Sequence, residues 1–290
     1  MAKNIGHHLC DTISQDHALF DSILESDRRY FEAGAQHIDV EGAKISFIPS
    51  LPSVPAAFCA HIIGRSFSRD YGAWLEQIEA EFSQLGSAQA RIYCHPLPAK
   101  MKIAASKRGF KCSAEYALAL TDPATSHKPP PRNLELIKVD SPRDWDEKLR
   151  FHNKNNDHPD GRVSRPRDWV AFERIKAENG YMRPYLVRTP DDVVGAFSVS
   201  CINEIVRIKN ISTDRMHRNR GVATAILLWV QRYAIQHQYT TVGLISLRGK
   251  HGDRLYRNIG FREVGMIFEL TKDLRSPTHY ASAKFGLRQV

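Results

Sequence analysis

The sequence predicts an α/β protein of two similar domains, each a sheet flanked by helices, joined by a proline-rich connector. Three observations predict it. Toward the C-terminus a helix-like run, Val222–Gln236, is followed by a strand-like run, Thr241–Leu247, then a Gly260-Phe261 pair and a second strand-like run, Glu263–Leu270. The same order, at nearly the same separations, occurs earlier in Trp74–Leu85, Ala90–His95, Gly109-Phe110 and Cys112–Leu120, which marks one supersecondary unit used twice. Between the copies lies Ser126-His-Lys-Pro-Pro-Pro-Arg-Asn133, whose three successive prolines exclude a helix interior or a central strand and favour a stiff connector. The expected division is 1–125, a connector 126–133, and 134–290; a chain of 290 residues, 42% of them hydrophobic, can fill two such cores.

In the second half the elements follow from local pattern. Pro142–His152 reads as a helix, Asn153–Pro166 as a loop, and Arg167–Asn179 as a second helix, with Asp168-Trp169 after Pro166 suiting its start. Tyr181–Arg188, Val193–Cys201 and Ile205–Ser212 read as strands, the first two separated by a turn at Thr189-Pro-Asp-Asp192. In Val222–Gln236 the apolar residues Val222, Ile226, Trp229, Val230 and Tyr233 recur at three- and four-residue steps, so one helix face is apolar.

The segment joining the last of these strands to that helix carries the strongest chemical signal: Arg218-Asn219-Arg220-Gly221-Val222-Ala223, with Thr224 next. The first amides of a helix have no intrahelical partner, and the macrodipole places partial positive charge there. A phosphate can lie against those amides. Gly221 lets the backbone come close, Arg218 and Arg220 add charge for phosphate oxygens, and Thr224 adds a hydroxyl. The segment contains neither G-x-G-x-x-G nor G-x-x-x-x-G-K-[ST], the two commoner phosphate loops.

The spacing R-x-x-G-x-A between a strand and a helix resembles the pyrophosphate loop of the GNAT N-acetyltransferases. Tyr256, four residues before Gly260-Phe261, resembles that family's second signature. The resemblance runs from about Leu134 to Leu270 and implies tandem GNAT-like domains, each a mixed, mostly antiparallel twisted sheet flanked by helices. It implies acetyl-CoA as co-substrate, with its pyrophosphate on Arg218, Asn219, Arg220, Gly221, Val222, Ala223 and Thr224. The strand before the loop would splay from its neighbour, and the backbone of Ile211, Ser212 and Thr213 would hold the pantetheine arm. Tyr256 would protonate the departing thiolate. Many members carry a carboxylate base eleven residues before the loop's first residue; here that position is Arg207, which cannot take a proton at neutral pH. Glu204, at the strand's start, is the nearest carboxylate and the candidate base, although its place suits a turn residue; a water, or an amine that arrives partly deprotonated, would also suffice. Gly249 stands where the family often has asparagine. Acceptor specificity would reside in Asn153–Pro166, where Asp157, His158 and Asp160 can hold a cationic or polyhydroxylated amine. The first half lacks both signatures: Gly64–Gly72 has no R-x-x-G-x-A, and Ala105 takes the position of Tyr256, so it reads as a degenerate copy.

Composition bounds the alternatives. The net charge of +9 favours anionic partners, to which the CoA phosphates contribute; no basic run interleaved with aromatics points to nucleic acid. The five cysteines are scattered without C-x-x-C, so neither a disulfide framework nor a metal site is expected. No apolar run reaches the ~18 residues of a membrane span, and Met1–His8 lacks a signal-peptide apolar region, so a cytoplasmic monomer or homodimer is expected. The reading is an N-acetyltransferase acting on a small-molecule primary amine: an amino sugar, aminoglycoside-type antibiotic, amino acid or polyamine. Its rivals are an aminoacyl-tRNA-dependent transferase, which needs no pyrophosphate loop, and a non-enzymatic acyl-CoA sensor.

Overall fold

The computed structural model describes residues 3–62, 70–123, 133–155, 165–247, 249 and 251–274. Of the proline connector only Asn133 is among them; Asp157, His158 and Asp160 lie outside the described residues, as does most of Gly64–Gly72. In chain order the elements are α1 (Lys3–Glu32), β1 (Gln36–Val40), β2 (Ala43–Phe47), β3 (Phe58–Ile62), α2 (Tyr71–Gln84), β4 (Gln89–Cys94), α3 (Ala99–Lys107) and β5 (Lys111–Leu120). Then come β6 (Glu135–Lys138), α4 (Pro142–Asn155), α5 (Pro166–Glu178), β7 (Arg183–Arg188), β8 (Val193–Ile202), β9 (Ile205–Thr213), α6 (Val222–Gln236), β10 (Thr241–Leu247), α7 (His251–Ile259) and β11 (Arg262–Asp273).

These elements form two compact units, one of Met1–Gly34 with Ala114–Ile267 and one of Ala35–Ser113 with Phe268–Val290. In the first, the strand order is β11-β5-β10-β9-β8-β7-β6. β9 and β10 are parallel, joined by the crossover helix α6, while β5–β10, β8–β9, β7–β8 and β6–β7 are antiparallel. In the second the order is β1-β2-β3-β4-β11; β3 and β4 are parallel around α2, and the remaining described ladders are antiparallel. The sheet pattern is therefore repeated, mixed and mostly antiparallel, as expected.

The units are not the contiguous halves 1–125 and 134–290. Each half gives up its last strand: β5 pairs with β10, from Glu115↔Leu247 to Leu120↔Val242, while β11 pairs with β4, from Phe268↔Cys94 to Asp273↔Gln89. An antiparallel ladder needs only a strand of the right alternation at an open edge. Because the halves repeat, either last strand satisfies either edge. The first unit also takes α1, a helix not read from the sequence. Its buried face is Phe20, Ile23, Asp27 and Tyr30, at three- and four-residue steps.

In the first unit alternate residues face opposite sides of the sheet. Val187, Phe197, Val199, Val206, Ile208, Val242 and Leu244 form one core with Val222, Ile226, Val230 and Tyr233 of α6. Such residues contribute roughly 1.5–3 kcal/mol each when fully buried. The other side is only partly apolar: Leu186 and Ala196 pack with Trp145, Phe151 and Val170 of α4 and α5. Farther along it β8 and β9 present Ser198 opposite Lys209 and Ser200 opposite Arg207.

Candidate active site

The fork expected beside the loop is present. β9 and β10 pair only through Thr241↔Ile205, Val242↔Val206 and Gly243↔Arg207. Beyond Arg207, β9 stays paired with β8 as far as Gly195↔Thr213, interrupted by a bulge that gives β9 an extra residue. Asn210 takes that place with φ +57, a conformation asparagine tolerates better than most residues. Ile211, Ser212 and Thr213 thus lie on the limb of β9 that has left β10, half-buried. One end of the ladder is open where a ligand can add hydrogen bonds.

The loop begins at Asp214, whose carboxylate accepts from the Met216 amide at 2.8 Å and from His217 Nδ1 at 3.0 Å. Lys154 Nζ lies 3.0 Å from it, and Asn155 Oδ1 accepts from the Arg215 amide at 3.0 Å, so the end of α4 holds the loop's entrance. Burial pushes the Asp214 carboxyl up, but His217, Lys154 and the Met216 amide outweigh it and hold it down at about 2. Arg218, Asn219 and Arg220 are exposed. Gly221 begins α6 with φ +82, a left-handed conformation that a Cβ disfavours by roughly 1–2 kcal/mol. Its side-chain-free position leaves the next amides uncapped: the first α-helical bond runs from the Ala225 amide to Gly221 O at 2.8 Å. Val222, Ala223 and Thr224 therefore present three N–H groups without intrahelical partners. The helix start is pressed against β8, for a Cβ on Gly195 would meet Val222 Cγ1 at 3.0 Å and Ser212 O at 3.2 Å.

Residues 144–261 match the family model described as Acetyltransferase (GNAT) family. The chain thus carries a GNAT-family domain at residues 144–261. No curated protein matches the chain. Among solved structures it is similar in fold to a GCN5-related N-acetyltransferase from Kribbella flavida (14% identity, 93% of this chain and 97% of that one, TM-score 0.59). It is also similar to a tandem GNAT protein from the clavulanic acid biosynthesis pathway (13% identity, 81% and 79% covered, TM-score 0.53). A functionally unknown conserved protein from Staphylococcus epidermidis ATCC 12228 is a third (14% identity, 82% and 94% covered, TM-score 0.64). Both halves of the chain are GNAT-like in fold.

Tyr256 lies on α7, packed edge-on against Phe261 at 6.1 Å, with its ring and hydroxyl over Gly252. Burial pushes its phenol above the ordinary tyrosine range, against the opposing pull of the Arg207 charge. The phenol therefore keeps its proton through neutral pH. Gly249 opens the turn before α7 with φ +72, its amide donating to Asp253 Oδ2 at 3.2 Å. Glu204 is not brought to this site. It sits in the turn before β9, at the paired end of the fork, taking a hydrogen bond from Thr240 Oγ1 at 3.3 Å and lining a separate cavity of about 380 Å³ with Ser22, Asn203 and Thr241. Glu204 is near the loop in sequence, but β9 runs away from it toward the loop, which leaves the two at opposite ends of the strand.

Arg207 is buried, donating to Ile208 O at 2.7 Å and facing Asp27 Oδ1 at 3.3 Å. Lys209, next on the same face, is paired with the same carboxylate and lies 3.9 Å above the Tyr30 ring. Burial pulls both cations below their ordinary range; Asp27 and Glu115 pull the other way. None of Asp27, Lys209 or Glu115 was read as a site residue. Asp27 is 180 positions from Arg207 in sequence, so no local pattern links them.

Beside the bulge, Glu173 is fully buried, 3.1 Å from the equally buried Lys148 Nζ and accepting from Asn210 Nδ2 at 2.8 Å. Removing one member of such a pair leaves a charge stranded away from water. Glu173→Ala should lower unfolding stability by about 3–5 kcal/mol in a denaturant titration, and adding Lys148→Met should recover much of the loss. A single-variant cost below ~1 kcal/mol would contradict the pairing.

The matching helix start in the second unit is already filled. Asp70 caps α2, its Oδ1 accepting from the Gly72 amide at 2.9 Å and the Ala73 amide at 3.1 Å. A carboxylate occupies the position where α6 leaves amides open. Ala105, the counterpart of Tyr256, is buried in α3. Among the described residues no group of three or more His, Cys, Asp or Glu side chains is arranged to hold a metal ion, and no helix is long and apolar enough to cross a membrane.

Proposed function

We propose that this protein transfers an acetyl group from acetyl-CoA to a primary amine of a small molecule, using the fork and loop of the first unit. What supports the reading is that one unit holds the β9–β10 fork, the uncapped start of α6 behind Gly221, and Tyr256 on α7, whose phenol burial pushes above the ordinary tyrosine range. The pyrophosphate would rest on the amides of Val222 to Thr224, with Arg218, Asn219 and Arg220 around it; Ile211, Ser212 and Thr213 would hold the pantetheine arm as an added strand. Backbone N–H groups there would polarise the thioester carbonyl, and Tyr256 would donate a proton to the sulfur. The filled helix start at Asp70 favours one cofactor site per chain.

Calorimetry with acetyl-CoA tests the binding half of this reading. Gly221→Val forces a β-branched residue into a left-handed conformation at the helix start. Its Kd should rise on the order of tenfold or more, since 1.4 kcal/mol is a factor of ten. An unchanged Kd, or no binding by the natural chain, would reject the assignment. Thiol release from acetyl-CoA with a panel of amino sugars, aminoglycosides, amino acids and polyamines tests the catalytic half. Tight binding with no release by any of them would favour an acyl-CoA sensor.

A further inference from the structure

The limb of β9 beyond the fork has lost one neighbour. The β10 ladder stops at Gly243↔Arg207, so Ser212 and Thr213 are held in register by β8 alone, through Ala196↔Ser212 and Gly195↔Thr213. The bulge at Asn210 interrupts that ladder just before them. A ligand that adds as a strand gains most where the backbone groups it meets are already in place. Something other than β10 has to hold this limb.

Side chains of the α4–α5 pair fasten it at both ends. At its start, Asn210 Nδ2 donates to Glu173 Oε1 at 2.8 Å and lies 3.4 Å from the Tyr30 hydroxyl. The second Glu173 oxygen, Oε2, faces Lys148 Nζ at 3.1 Å and His152 Nε2 at 3.8 Å. At its end, the buried Asn155 accepts from the Arg215 amide at 3.0 Å, while its own Nδ2 donates to Phe151 O at 2.9 Å.

The residue type at 210 is fixed twice over. Its φ of +57 suits glycine, asparagine or aspartate far better than other residues. Of these three, only asparagine offers an N–H donor to a carboxylate. Aspartate would set a second negative charge against Glu173, and glycine has no side chain to reach it. A fully buried Lys–Glu pair is a costly way to fill a core. Here it sets an ionised oxygen where Asn210 needs one, and a hydrogen bond to an ionised acceptor is stronger than a neutral one.

We propose that Asn210 is a positioning residue for the cofactor: its amide, anchored to the buried Glu173–Lys148 pair, fixes the bulge and so presets the backbone of Ile211 to Thr213 for the pantetheine arm. This role rests on the acetyl-CoA reading of that limb. Asn210 meets no reacting atom and acts only through the three residues that follow it. The start of α6 is shaped separately, by Gly221, so the pyrophosphate half of the site does not draw on Asn210.

Calorimetry on the full-length chain with two ligands tests this. Acetyl-CoA carries the arm; 3′-phospho-ADP carries the pyrophosphate without it. Asn210→Gly keeps the backbone conformation and removes only the anchor. Its Kd for acetyl-CoA should rise on the order of tenfold, about 1.4 kcal/mol, with the Kd for 3′-phospho-ADP within twofold of the natural chain. Equal weakening of both ligands would show a general role in the fold and overturn the proposal, as would no change in either. Asn210→Asp combined with Glu173→Gln exchanges donor and acceptor and keeps one negative charge beside Lys148. This pair should bind acetyl-CoA within about threefold of the natural chain, and it covers the case in which the glycine variant folds poorly; a loss of tenfold or more would overturn the proposal. A natural chain that binds neither ligand overturns the acetyl-CoA reading itself, whereas with natural binding intact the failures above fall on Asn210 alone.

Discussion

A chain cut to 134–290 is expected to be insoluble or molten, although it contains the whole of the family-matched segment 144–261. Three things leave with the first half. β5 is lost from between β10 and β11, exposing the edge of β10 from Val242 to Leu247. α1 is lost from the polar face of the sheet, and with it Phe20, which packs on Gly265, and Ile23, which packs on Gly243. Asp27 is lost from Arg207 and Lys209, leaving two cations without their carboxylate. Stranding a buried charge costs roughly 3–5 kcal/mol, and whole domains are stable by only about 5–15 kcal/mol. Apolar burial on α1 and β5 is lost in addition. The shortened chain should bind a hydrophobic dye, lack near-ultraviolet circular dichroism and show no cooperative melt. A soluble fragment that melts cooperatively and binds acetyl-CoA like the full chain would show that the exchanged strand and α1 are dispensable.

The same facts mark what the sequence made legible. Elements with strong local pattern were readable: α6 and β10 lie at the expected residues, because helical spacing and strand-like composition act over a few residues. The start of α6 was readable because Gly221 stands between a strand-like and a helix-like run and marks the boundary locally. The repeat gave the fold of both halves. It did not reveal that the halves exchange their last strands, because β5 and β11 are equally good antiparallel partners for β10 and β4. Nothing within either strand selects its neighbour. The polar side of the sheet was hidden for a related reason. Arg207 read as a missing base, and only the fold brings Asp27 and Glu115 to it. α1 went unread because its buried stripe includes Ser26 and Asp27 among Phe20, Ile23 and Tyr30, which breaks the apolar signal.

Replacing Tyr256 by phenylalanine is expected to lower kcat on the order of a hundredfold while leaving acetyl-CoA affinity nearly unchanged. The substitution removes one oxygen and keeps the ring that packs against Phe261 and Gly252, so the fold and the cofactor contacts should persist. What is lost, under the proposed acetyl transfer, is a proton donor for the thiolate. The pH dependence separates this role from packing. Burial raises the Tyr256 pKa, so the natural enzyme holds the proton through neutral pH and loses it only as pH rises past the raised value. The natural enzyme should therefore show an alkaline fall in kcat, and the phenylalanine variant should not. Rapid-mixing measurement of the first turnover ensures that chemistry rather than product release is being read. If the variant keeps full single-turnover activity, the thiolate departs without an acid, and Tyr256 serves only to wall the cofactor cleft. If kcat falls but the alkaline limb remains, a group other than Tyr256 sets that limb.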